Sequence, residues 1–104
     1  MKTNSFIVEH PQESPQIYLT PLQPLRFEQW LQCKSWFAGT AINARELQYG
    51  ADLVELQLRY AGEAFTLHYE DYSESCWVSA DTAAAAMLLS ELANLFRQLE
   101  LTGS

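Results

Sequence analysis

Three consecutive stretches, LVELQLRY (Leu53–Tyr60), FTLHYE (Phe65–Glu70) and SCWVSA (Ser75–Ala80), alternate apolar and polar residues at every second position. A strand turns successive side chains to opposite faces, so this pattern predicts three antiparallel strands, each with a buried and a wet side. Ala61–Ala64 (AGEA) reads as a tight hairpin in which Gly62 takes the positive φ of a II′ turn, and Asp71–Glu74 (DYSE) as a longer loop.

Pairing Tyr60 with Phe65 sets Leu58 beside Leu67 and Leu56 beside Tyr69, and pairing Glu70 with Ser75 sets Tyr69 beside Cys76 and Leu67 beside Val78. Both registers send Val54, Leu56, Leu58, Tyr60, Phe65, Leu67, Tyr69, Cys76, Val78 and Ala80 to one face. A slip of one residue exposes the whole set, so burial fixes the sidedness. The other face then carries Glu55, Gln57, Arg59, Thr66, His68, Glu70, Ser75, Trp77 and Ser79, with Gln57, His68 and Trp77 expected in one cross-strand row.

The rest of the chain is arranged around this meander. Residues 1–25 hold all four prolines (Pro11, Pro15, Pro21, Pro24) and two β-prone pieces, Ser5–Glu9 and Gln16–Leu19. Proline removes a ladder donor, so these read as edge strands or an extended arm. Pro24 suits the start of a helix over 26–39, with Phe27, Trp30, Leu31 and Phe37 facing the core, Trp36 off that stripe and Gly39 as the stop. Ala41–Gln48 is a weaker strand that needs a bulge near Glu46 to bury Ile42, Ala44 and Leu47 together. Asp81 is the expected cap of a helix over 81–101, apolar at Ala85, Leu88, Leu89, Leu92, Leu95, Phe96 and Leu99 and followed by Gly103.

The expected fold is therefore one α+β domain: a two-layer sandwich of a four-stranded antiparallel meander over 41–80, plus one or two short N-terminal strands, with both helices on its apolar face. A chain of 104 residues can bury a core of that kind.

Charge narrows the partners. Thirteen acidic against six basic residues give a net charge of −7, which repels nucleic acid and anionic membranes and favours a cationic protein. No stretch approaches the roughly 20 apolar residues of a membrane span, and no secretion signal precedes the first strand. Cys33 and Cys76 make no disulfide framework, so a cytoplasmic location with free thiols is expected.

Catalytic sets do not assemble on this pattern. A Cys76–His68 dyad fails because the pleat sends the two side chains to opposite faces, and a thiolate must sit within reach of its base. His68 and Glu70 share a face but make only a two-ligand fragment, short of a zinc site, and no metal or other cofactor is expected. Pro21–Arg26 (PLQPLR) matches a P-x-x-P-x-R ligand, but the helix beginning at Pro24 would destroy its extended geometry. Trp36 and Trp77 remain as the anomalies, since an indole outside the core marks a contact surface.

The segment FTLHYEDYSESCWVSA, with its Ser75-Cys76-Trp77 triplet, resembles a family of short bacterial proteins of unknown function. The resemblance covers the C-terminal half and implies no catalytic residues. By fold analogy alone, small acidic helix–sheet proteins such as type III secretion chaperones have similar layers and charge, although their strands are interleaved differently.

The expected function is non-enzymatic protein binding, to a partner or to a second copy as a dimer, through the polar sheet face at Trp77, His68, Gln57, Arg59 and Trp36. Two alternatives stand beside it: a small-molecule or catalytic pocket between helices and sheet, lined by Trp30, Tyr69 and Cys76, and an immunity or inhibitor protein covering a basic partner.

Overall fold

A computed structural model of the chain describes residues 6–99, folded as α+β. Its six strands are β1 (Phe6–Glu9), β2 (Gln16–Pro21), β3 (Asn43–Tyr49), β4 (Leu53–Tyr60), β5 (Glu63–Glu70) and β6 (Ser75–Ala80). They form one antiparallel sheet in the order β1-β2-β6-β5-β4-β3. The expected meander is its larger part, and the sheet has six strands rather than four.

The difference comes from β2, which is not an edge strand. It lies between β1 and β6 because its prolines flank the ladder: Pro15 precedes Gln16 and Pro21 is the last residue, so Gln16–Thr20 keep their N–H groups. Only β1 takes the edge at that end. The chain must then cross from β2 to the far edge at β3, and the crossing segment covers the sheet.

That segment is not the single helix expected over 26–39. It contains a one-turn helix α1 (Phe27–Trp30) and a 3₁₀ turn over Cys33–Phe37. The apolar residues here span too wide an arc for one α-helical stripe on a flat sheet. A 3₁₀ turn brings residues three apart to the same side, and Cys33 and Trp36 are both buried. Gly39 (φ 78°) ends the segment.

The C-terminal helix is likewise divided, into α2 (Ala83–Ala86) and α3 (Leu89–Gln98), with an exposed Met87 at the break. The division redirects the chain, since α2 packs on β5 and β6 whereas α3 packs on β1 and β2. Thr82, not Asp81, is the cap: its Oγ1 accepts from the Ala85 N–H at 3.0 Å. Asp81 instead accepts from the Thr66 hydroxyl at 2.9 Å. The expected helix end at Leu101 and the stop at Gly103 lie outside the described residues.

Sidedness follows the pleat. Val54, Leu56, Leu58, Phe65, Leu67, Tyr69, Cys76 and Val78 are all buried, as are Ile17 and Leu19 from β2. Against them pack Trp30, Phe37, Leu92 and Phe96. The Trp30 indole stacks on the Tyr69 ring with centroids 4.1 Å apart and planes 7° from parallel, and Phe37 meets Phe96 edge to face. The bulge expected near Glu46 is present as a register shift between Ala44 and Leu47, and Ile42, Ala44 and Leu47 all reach the core.

One register differs from expectation. The β4–β5 hairpin pairs Tyr60 with Glu63, so the turn is two residues, Ala61 (φ 52°) and Gly62 (φ 79°). Two consecutive positive φ values make a I′ turn, whose twist suits a hairpin, rather than II′. The shift is two residues, so every side chain keeps its face while its cross-strand neighbour changes.

Candidate functional site

The polar face of the sheet carries a row that crosses all six strands: Glu9, Tyr18, Trp77, His68, Glu55 and Gln48, each opposite the next. Directly opposed residues on one face bring their side chains within contact, so the row is a physical unit. Its centre is the His68 imidazole, stacked on Trp77 with ring centroids 5.0 Å apart and planes 11° from parallel.

Both nitrogens of that ring are engaged. Nδ1 lies 3.2 Å from Glu55 Oε2, and Nε2 lies 2.9 Å from Ser79 Oγ. A carboxylate accepts, so Nδ1–H is the donor to Glu55, and Nε2 pairs with the Ser79 hydroxyl. The His68 side chain is 19% exposed and that of Glu55 39%, so the network lies at the solvent boundary.

The expected site residues are distributed as follows. Trp77 and His68 meet on the polar face. Gln57 is one row away, opposite Thr66, because the two-residue turn sets Glu55 and not Gln57 beside His68. Arg59 lies a further row along β4, opposite Ala64, with Nη1 donating to the Gly62 carbonyl at 3.4 Å. Trp36 is withdrawn from the contact set: it is 9% exposed and packs on Phe6 and Trp30 at centroid distances of 5.5 and 5.3 Å. Glu55 and Ser79, placed on this face by the alternation of β4 and β6, and Tyr18 of β2 complete the arrangement, though none of them was among the expected site residues.

The connectivity Glu55–His68–Ser79 is that of an acyl-transfer triad. Such a triad also needs hydrogen-bond donors aimed at the developing oxyanion and a cleft to hold the substrate. Ser79 sits in a strand with ladder partners on both sides, Gln16 and Thr66, so its backbone belongs to the sheet. Two hollows lie beside the β4 end of this network, the smaller of them touching it through Glu55. One of about 320 Å³ is lined by Arg45, Glu46, Gln57 and Arg59, and one of about 170 Å³ by Gln48, Tyr49, Leu53 and Glu55. The network holds the imidazole flat against the indole.

On the other face the cysteines are free and buried. Burial pushes the Cys33 thiol up to about 12. It raises Cys76 as well, with the neighbouring Cys33 adding to the shift. Neither is poised as a thiolate, and two of the residues expected to line a pocket between helices and sheet, Trp30 and Tyr69, are stacked on each other. Among the described residues no three His, Cys, Asp or Glu side chains converge as a metal site, and no helix is long and apolar enough to cross a membrane.

Comparison with known proteins gives a family, DUF3630, described as proteins of unknown function, whose sequence pattern matches residues 7–97. The chain belongs to this family. The match runs from β1 into α3, well beyond the C-terminal segment that first suggested a resemblance. No curated protein and no solved structure matches the chain.

Proposed function

We propose that this protein is a binding domain rather than an enzyme, and that the polar face of its sheet is the surface that meets a protein partner. The reading is carried by one observation: a half-buried indole, Trp77, stands at the centre of a face whose outward residues on β4, β5 and β6 are mostly polar or charged, braced by His68. Aromatic anchors of this kind contribute a disproportionate share of interface energy, because they bury a large area with little conformational freedom to lose. Tyr18 (38% exposed) and Ile7 (49% exposed), on β2 and β1, extend the apolar part of the same face.

The bracing suits recognition. A ring held by Glu55, Ser79 and a stacking neighbour is already ordered, so association loses less rotamer entropy on meeting it. The thiols are buried, which leaves the polar face as the better candidate for contact.

The test is quantitative affinity capture from the native host with wild type and Trp77→Ala side by side, with thermal melting of both. The proposal expects the specifically retained protein to be lost with Trp77→Ala while the chain stays folded at the capture temperature, its melting temperature lower by roughly 4–15 °C. Equal retention by both chains would overturn it.

A further inference from the structure

We infer that the row Glu9–Tyr18–Trp77–His68–Glu55 takes a basic polypeptide segment, one that presents arginine side chains across the strands. The inference rests on the reading of the polar face as a contact surface and names what that surface recognises.

Charge complementarity is the first ground. The row carries a carboxylate toward each end, Glu9 and Glu55, on a chain of net charge −7, and Glu70 lies on the same face. Among the described residues, the cations near that face, Arg59 and the neighbouring Arg45, stand apart from the row. Arg59 is four residues along β4 from Glu55, about 13 Å at strand rise. A cationic segment on the row therefore meets two carboxylates before it meets a like charge.

The aromatic centre is the second ground. His68, from β5, covers one face of the indole, and β2 with Tyr18 lies on the other side. A guanidinium is planar and weakly hydrated, stacks on aromatic rings and pairs with carboxylates through two parallel bonds. A lysine ammonium does only part of this, so the row distinguishes arginine from lysine. A carboxylate has about four lone-pair positions, so Glu55 can hold His68 and still accept from the ligand.

Spacing gives the third element. Glu9 and Glu55 are four strands apart, about 19 Å at the usual strand separation, which an extended chain covers in roughly six residues. Six is even, so both arginines can point to the same side of an extended ligand.

The experiment uses the full chain and fluorescein-labelled octapeptides alternating serine with arginine, lysine or glutamate, read by anisotropy. The arginine peptide is expected to bind best, the lysine peptide less well and the glutamate peptide not at all. Affinity should fall steeply between about 20 and about 300 mM salt. Glu9→Gln combined with Glu55→Gln should weaken binding by about tenfold or more, as should Trp77→Leu. Glu28→Gln combined with Glu74→Gln removes the same charge from exposed sites off the row and should change affinity by less than about twofold. Equal loss in the two double variants, or no binding of the arginine peptide, overturns the inference. If the arginine peptide fails while Trp77→Ala still abolishes capture of the native partner, the contact face stands and only its basic ligand is wrong.

Discussion

The His68 imidazole lies flat on the Trp77 indole, centroids 5.0 Å apart, and the two residues are directly opposed on β5 and β6. The stack follows from backbone pairing: two aromatic rings facing each other across an antiparallel ladder have little room to do anything else. Glu55 and Ser79 then hold the ring from its two nitrogens. A surface this ordered, with one large indole in it, is the basis for reading the face as a binding site.

The two anomalous tryptophans separate into different roles. Trp36→Ala is expected to lower stability by about 3–5 kcal/mol, because it removes a buried indole packed on Phe6 and Trp30. Trp77→Ala should cost about 1–2 kcal/mol, the loss of a half-buried ring and one stack. Urea denaturation of both variants checks the contrast, and similar midpoints would refute it.

The β4–β5 turn contains avoidable strain. Ala61 holds a φ of 52° in a turn whose neighbour Gly62 is already at 79°. Replacing Ala61 with Gly removes the Cβ penalty of the left-handed region and should stabilise the chain by up to about 1 kcal/mol. Thermal melting should show a rise of a few degrees. Gly62→Ala should lower it.

Alkaline stability should be limited by the core. The Cys33 thiol rises from its ordinary value near 9 to about 12 because burial disfavours its thiolate. Cys76 moves the same way, and so does the Tyr69 hydroxyl, which is buried and donates to Asp71 at 2.8 Å. In each case the folded chain keeps the proton longer than the unfolded chain does. Their contribution is thus fully present below pH 9 and is lost as pH rises toward 12. Urea midpoints across this range should be level below pH 9 and fall above it, and a level profile to pH 11 would contradict the assignment.

The Glu55–His68–Ser79 connectivity gives a further check. A binding network predicts that a fluorophosphonate probe leaves Ser79 unmodified at neutral pH, since Ser79 sits in a strand paired on both sides rather than at a turn that presents free N–H groups to an oxyanion. Mass-spectrometric detection of a Ser79 adduct would favour acyl transfer instead.

The sequence carried the sidedness of the sheet and less of its connectivity. The pleat sorted Leu56, Leu67, Val78 and Cys76 correctly because parity survives a two-residue shift. The same shift decided which residue touches His68. Nothing in Ala61-Gly62 announces a I′ turn as Asn-Gly would, so Gln57 was expected where Glu55 stands. The β2–β6 pairing joins residues some sixty positions apart, which no local pattern encodes. Trp36 was misjudged because α-helical spacing put it off the stripe, while the 3₁₀ turn that packs it inward is a response to the sheet beneath. The bulge near Glu46 was legible, since three apolar residues on conflicting parities demanded it.

The most direct test of the account compares adjacent positions on β6. Native Cys76 points into the core, and a cysteine placed by Trp77→Cys should point to solvent beside His68. Alkylation by iodoacetamide near pH 8, resolved by peptide mass spectrometry, is expected to modify position 77 readily while Cys76 and Cys33 react at least about a hundredfold more slowly. Comparable rates at 76 and 77, or a faster reaction at Cys76 in the folded chain, would place the indole's side of the sheet in the core and contradict the contact face.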